Sequence, residues 1–304
     1  MKIFHTDQFS IPLPKNHTFP LQKYPILKKR LLESNPVTAK NLYVPQAATR
    51  DEITRVHDLE YIRRLRNGEL TLKEIRPIGL PWSNEIIERA MRSAGATIEA
   101  CRCALVEGVA VNLGGGTHHA FRDRGQGYCL LNDAAIACRA LQSENLVRKI
   151  LIIDCDAHQG NGTAAIFKDD ASVFTFSIHG KNNFPYKKER SDLDIALDDG
   201  TGDAKYLEEL KQGVTYSLEQ IDAQLVIYLA GADPFKDDRF GRLALTKQGL
   251  AERDRMVFRH CYAAGLPIAV TMAGGYARRI EDTVDIHFQT VLAAIEFQKL
   301  LKGT

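Results

Sequence analysis

The sequence predicts an α/β protein: one three-layer domain spanning 1–304, with a central, mostly parallel sheet flanked by helices. Three observations carry that expectation. Short apolar runs alternate with longer stretches of helical period; the runs are apolar almost throughout instead of at every second residue; and most lead into glycines, acids or histidines. Continuous apolarity marks strands covered on both faces, as in a parallel sheet.

In chain order, the proline-rich first eighty residues read as loops with a helix around 56–65. Ile87, Met91, Ala94, Ile98, Cys101 and Leu105 recur at three and four residues, the apolar face of a long helix. Five strands follow at 109–113, 150–153, 173–178, 225–229 and 268–272. Thr246 caps a helix that ends near Gly265, and DIHFQTVLAAIEFQKLLKG closes the chain as an amphipathic helix. No repeat, low-complexity tract or linker interrupts this order.

Composition narrows the function. Forty basic and 38 acidic residues are well mixed, with a net charge of +2, so neither a nucleic-acid nor a membrane surface is implied. Cys101, Cys103, Cys129, Cys138, Cys155 and Cys261 form no CxxC pair and fall mostly in apolar segments, which suits buried reduced thiols. The start MKIFHTDQFSIPLP has no apolar signal core and no run reaches membrane length, so a cytoplasmic protein is expected.

Four of the five runs lead directly into GGGTHH, DCDAHQGNG, AGAD and AGGY. Ligand sites of open parallel sheets lie at the carboxyl ends of the strands, so these four segments converge on one edge. In Asp154-Cys155-Asp156-Ala157-His158 the polar residues alternate, and an extended backbone turns Asp154, Asp156 and His158 to one side. Two carboxylates and an imidazole together are costly unless a cation binds them. Alone, DxDxH reads as a capped strand end with solvated acids. With Asp233 it supplies one nitrogen and two carboxylates with a fourth position open, the layout of a catalytic zinc site. Such a metal lowers the pKa of a bound water and polarises a carbonyl. His118 and His119 then suit a base for that water and an acid for a departing amine, although an isolated pair in a glycine loop is more often exposed. After two glycines, the Tyr276 hydroxyl can reach an oxyanion; alone, it reads as a packed ring.

Taken together, GGGTHHAFRDRGQGYCLLNDAAIA, LIIDCDAHQGNGT, FTFSIHG, LAGADPFKDDRFGRLALT and MAGGY resemble the zinc-dependent histone deacetylases, in family order and spacing. HTDQFSIPLPKNHTFPLQKYPIL is similar to the bacterial branch near class IV, so the resemblance covers almost the whole chain. It implies the arginase/deacetylase-like fold and one Zn2+ per chain on Asp156, His158 and Asp233. It implies His118 and His119 as the general base and acid pair, and Tyr276 as the oxyanion donor. Asp154 is then hydrogen-bonded to His118 and shares a monovalent cation site, for K+ or Na+, with Ser177 and Ile178. The Gly127 carbonyl and the rings of Tyr128 and Phe184 hold substrate, with Phe240 at the rim. The implied reaction is hydrolysis of an acyl-amine amide, foremost N-ε-acyl-lysine in a protein or peptide. The alternatives are a small acetylated amine such as an acetylpolyamine and, from another class, a silent acyl-lysine binding module.

A di-manganese ureohydrolase shares the fold but needs a further aspartate shortly after the histidine, where this chain has Gln159 and Gly160. Asn161 stands where class I deacetylases have aspartate, and a neutral partner supports a charged His119 less. His57, His260 and His287 lie in helical patterns and read as structural, and His179 as packed behind the site. His17 lies toward the entrance with a structural role. Arg278 and Arg279 face water or acidic substrate, and Lys187-Lys188-Glu189-Arg190 reads as a solvated loop.

Overall fold

A computed structural model describes residues 1–34 and 37–303. Its sheet has eight strands: β1 (Ile3–Phe4), β2 (Leu42–Tyr43), β3 (Val109–Asn112), β4 (Ile150–Asp154), β5 (Val173–Gly180), β6 (Leu193–Leu197), β7 (Leu225–Leu229) and β8 (Ile268–Thr271). They lie in the order β2-β1-β3-β8-β7-β4-β5-β6, and every pairing is parallel. The helices are α1 (Lys23–Glu33), α2 (Arg50–Thr54), α3 (Leu59–Asn67), α4 (Leu72–Ile78), α5 (Asn84–Glu107), α6 (Asp133–Ser143), α7 (Asn161–Ile166), α8 (Asp203–Gln220), α9 (Lys247–Ala263) and α10 (Ile280–Lys302).

The layers follow from the strand period. Leu151, Ile153, Val226, Tyr228 and Val270 pack on one face with Leu210 and Val214 of α8, Leu250 and Val257 of α9 and Val291 of α10. Their neighbours Ile150, Ile152, Leu225, Ile227 and Ala269 pack on the other with Ile98 and Cys101 of α5 and Ile136 of α6. All five expected strands form, and all six cysteines are free thiols, five of them buried. Among the described residues no helix is long and apolar enough to cross a membrane.

The first eighty residues are more ordered than expected, holding four α-helices and two short strands, of which β2 forms one edge of the sheet. The helix expected at 56–65 is broken: α2 ends at Thr54, and extended Asp58 starts α3. His57 therefore lies between helices. Its Nδ1 donates to the Phe121 carbonyl (2.8 Å) and its Nε2 accepts from Asn132 N–H (3.0 Å), while burial lowers its pKa to about 4. Its structural role stands. The strand β6 was not expected, because LDIAL on the sheet edge alternates in burial and carries a charge.

On α9, Arg253 and Asp254 are paired and fully buried. Arg253 Nη1 donates to the carbonyls of Cys155 and Gly231, in the loops after β4 and β7. Asp254 accepts from the hydroxyls of Tyr228 and Thr290. One ion pair thus braces two loops from behind. Asp254→Ala leaves the buried guanidinium uncompensated and should cost about 3–5 kcal/mol in urea unfolding, the usual effect of breaking a buried pair. A loss within experimental error would show that Asp254 does not support Arg253.

Candidate active site

Every chemistry-bearing segment leaves the carboxyl edge of the sheet. His118 and His119 follow β3, Asp156 and His158 follow β4, Asp233 follows β7 and Tyr276 follows β8. Asp156, His158 and Asp233 are buried, with one potential ligand atom from each lying within 4.8 Å of the others. His158 Nδ1 is 2.9 Å from Asp156 Oδ1 and 3.1 Å from Asp233 Oδ2. Backbone amides aim the carboxylates: Asp156 accepts from His158 N–H (3.0 Å) and Gly274 N–H (2.8 Å), and Asp233 from Ala157 N–H (2.8 Å). A Cβ on Gly274 would land on the Oδ2 atoms of both aspartates, so glycine lets this loop close over the group. One imidazole nitrogen and two carboxylates suit a divalent transition metal.

Burial disfavours charge on His158, yet Asp156 and Asp233 raise its pKa well above the ordinary value. Asp233 is pushed up to about 7 by burial and by Asp156.

The glycine run before the histidines wraps a carboxylate. Gly115 and Gly116 take φ of +77° and +68°, and a Cβ on Gly116 would strike Ala273. Asp133, at the start of α6, accepts from Gly116 N–H (3.0 Å), Thr117 N–H (2.7 Å), Thr117 Oγ1 (2.7 Å) and Thr97 Oγ1 (2.6 Å). This turn sets His118 and His119 side by side, ring centroids 4.1 Å apart.

The two imidazoles differ electrostatically. His118 Nδ1 donates to Asp154 Oδ2 at 2.6 Å. Burial opposes its charge, but Asp154 and Asp156 outweigh it and raise the pKa to about 9. His119 Nδ1 donates to Asn161 Oδ1 at 2.7 Å, and burial with the charges of His118 and His158 holds it well below the usual value.

These groups line a cavity of about 530 Å³, together with Gly127, Tyr128, Phe184, Phe240 and Tyr276. The Tyr276 ring lies 5.0 Å from Phe240 and 5.8 Å from Tyr128, centroid to centroid. Burial, Asp156 and Asp233 raise its phenol pKa well above the usual value, so the hydroxyl remains a donor. Phe184 stands edge-on to His119 at 4.9 Å. Gly127 has φ +54°, and a Cβ there would meet the His119 ring. Asp154 and Ser177 are register partners on β4 and β5; Ser177 Oγ bonds His179 Nδ1 (2.9 Å), and Ile178 is buried.

Sequence reasoning missed several supports. Asp133 was hidden inside a quoted motif. Buried Asn183 donates to the Phe240 carbonyl (2.6 Å) and accepts from Arg242 N–H (3.1 Å), joining the Phe184 turn to the rim. Lys188 was expected in a solvated loop; it is half-buried and donates to the carbonyls of Asn183 and Pro185, both at 2.6 Å, which closes the same turn. Lys23, 2% exposed, lines the cavity with Nζ 3.4 Å from the carbonyls of Ala273 and Gly275. His17 does lie by the entrance, bonded to the Gly79 carbonyl (2.9 Å). His260 and His287 sit in α9 and α10, and Arg278 and Arg279 are exposed.

The fold and site define an open parallel α/β protein with a candidate metal centre at the carboxyl edge of its sheet. A histone deacetylase domain model matches residues 17–291, and the chain belongs to the histone deacetylase family. It is 45% identical over 285 residues to an uncharacterized protein of Picosynechococcus sp., covering 94% of this chain and 95% of that one. It is 28% identical to histone deacetylase 2 of Arabidopsis thaliana, covering 90% of this chain and 74% of that protein. The crystal structure of a histone deacetylase homologue from Aquifex aeolicus superposes with a TM-score of 0.81 at 22% identity, over 98% of this chain and 88% of that one. That likeness establishes the arginase/deacetylase-like fold. Family membership supports a deacetylase-type hydrolase.

A metal held by these residues would displace protons, which sets the sign of its pH dependence. Below the raised pKa of His158 and the value of about 7 at Asp233, protons occupy the ligand atoms, so affinity should fall as pH falls. Chelator competition should show affinity rising about tenfold per pH unit for each proton released, and Asp233→Ala should lose the metal. Affinity independent of pH, or an Asp233→Ala variant that keeps its metal, would remove these residues from the ligand set.

Proposed function

We propose that this chain is a zinc-dependent amidohydrolase that removes the acyl group from N-ε-acyl-lysine in proteins or peptides. The observation that carries the proposal is the buried Asp156-His158-Asp233 group on the wall of a cavity shared with two unlike histidines and the Tyr276 hydroxyl. Zinc held by those three residues would supply Lewis acidity at the acyl carbonyl and the attacking water.

The chain's own groups handle protons and position. Because Nδ1 of neutral His119 donates to Asn161, its Nε2 carries a free lone pair and can accept a proton from water. His118, whose pKa Asp154 and Asp156 raise, is then assigned as the acid for the departing amine, the reverse of the order in which the sequence names the pair as base and acid. Tyr276 donates to the developing oxyanion. The Gly127 carbonyl accepts the substrate amide N–H, the rings of Tyr128 and Phe184 flank the lysine stem, and Phe240, 37% exposed, forms the rim. The same reading assigns K+ or Na+ to Asp154, Ser177 and Ile178, beside His118.

Charge on the cavity wall favours acyl-lysine over an acetylpolyamine. Among the described residues lining it, the acids are Asp156 and Asp233, while Lys23, Arg89, Arg239 and Arg242 are basic. Asp238, near the mouth, faces inward to backbone amides. The further acid Asp199 is engaged by Arg242 at 3.2 Å, so a cationic polyamine tail finds no free carboxylate among these residues.

Tyr276→Phe should lower kcat by about 100-fold or more with unchanged metal content, as loss of one oxyanion donor does. Near-normal turnover would make Tyr276 a packing residue. An acetyl-lysine peptide should show higher kcat/KM than acetylated spermidine or putrescine; the reverse order would replace the substrate while leaving the hydrolytic chemistry.

A further inference from the structure

Tyr276 is gripped through its main chain. Its N–H donates to Asp238 Oδ2 (2.6 Å), and its carbonyl accepts from Arg239 Nε (2.9 Å) and from Arg239 N–H (3.3 Å). Asp238 is itself fixed, because its Oδ1 accepts from Phe240 N–H (2.8 Å) and Gly241 N–H (3.0 Å). The other end of the same guanidinium, Nη2, donates to the Thr18 carbonyl at 3.1 Å.

Thr18 continues the connection. Its Oγ1 lies 2.6 Å from Tyr128 Oη, while Phe19 and His17 pack edge-on against the Tyr128 ring at 5.4 and 6.0 Å. A single hydrogen-bonded arch therefore runs from Tyr276 through Arg239 and Thr18 to Tyr128, whose ring is the near neighbour of Tyr276. The preceding Gly274-Gly275 pair is intrinsically permissive, with Gly275 at φ +148°, and its bonds to Asp156, Ala232 and Lys23 stop short of Tyr276 itself.

We infer that Arg239 is a positioning residue for Tyr276: its guanidinium holds the Tyr276 carbonyl and ties it, through Thr18, to the N-terminal loop and the Tyr128 wall. The inference rests on the proposed role of Tyr276 as oxyanion donor. The requirement is geometric. Two donors of one planar fork serve two carbonyls from different segments, which a lysine ammonium on a flexible stem does not reproduce. A purely electrostatic role at the mouth would instead be met by either cation.

The test compares Arg239→Lys and Arg239→Ala in the metal-loaded protein. Both should lower kcat on an acetyl-lysine peptide by about tenfold or more, as small misplacements of a reacting group do, with KM, metal content and melting temperature little changed. Fluorine NMR of fluorotyrosine-labelled protein, with the Tyr276 signal assigned by its loss in Tyr276→Phe, should show that signal shifted or broadened in both variants. An Arg239→Lys protein with wild-type kcat overturns the inference, and so does an unmoved Tyr276 signal. If wild-type protein hydrolyses no acyl amide, the proposed function fails, while the NMR comparison still decides whether Arg239 holds Tyr276.

Discussion

Two carboxylates brought together out of water are the constraint on which this structure turns. Asp156 and Asp233 are buried almost completely, and like charges in such surroundings repel strongly unless protons or a cation intervene. The molecule holds them anyway. Amides of Ala157, His158 and Gly274 take up their oxygens, and the Arg253-Asp254 pair braces the loops from behind. This scaffold is built around a charge deficit that His158 fills only by keeping a proton. A divalent cation bound there would relieve the deficit and release that proton.

The surroundings displace the pKa values of two adjacent histidines in opposite directions. His118 is linked to Asp154 and close enough to Asp156 to gain a proton, whereas His119 meets only the neutral amide of Asn161 and the positive charges of its neighbours. Neighbours in sequence, with rings tilted 47° to each other, they have pKa values displaced in opposite directions, His119 downward chiefly by burial and His118 upward by Asp154 and Asp156. An aspartate in place of Asn161 would narrow that difference. Asn161 thus leaves His119 without an anionic partner, and its own amide is oriented by Gln126 Oε1 at 2.9 Å.

What could be read from the sequence follows a physical division. The strands β3, β4, β5, β7 and β8 are buried on both faces and so are written as apolar runs. The two-residue strands β1 and β2 are too short for any period, and β6, at the edge, looks like a polar loop. The metal group was legible because its chemistry belongs to side chains in a tight spacing. Asp133, Asn183, Asp238, Lys188 and Arg239 were not, because each serves backbone amides or carbonyls. Those partners carry no residue signature, and some lie far along the chain. His57 was misplaced for a related reason: its helical surroundings in sequence gave no sign that α2 stops before it.

The substrate question reduces to which groups face the cavity. KDDRFGR mixes signs in sequence, but folding separates them: Asp238 turns inward to the amides of Phe240, Gly241 and Tyr276, and Arg239 and Arg242 line the pocket. A residue that reads as charge in the sequence therefore acts as a backbone clamp in the fold. Asp238, turned to three backbone amides, and Arg239, bound to two carbonyls, together fix the Tyr276 loop. One short segment, 238–242, therefore both lines the cavity and clamps the Tyr276 backbone.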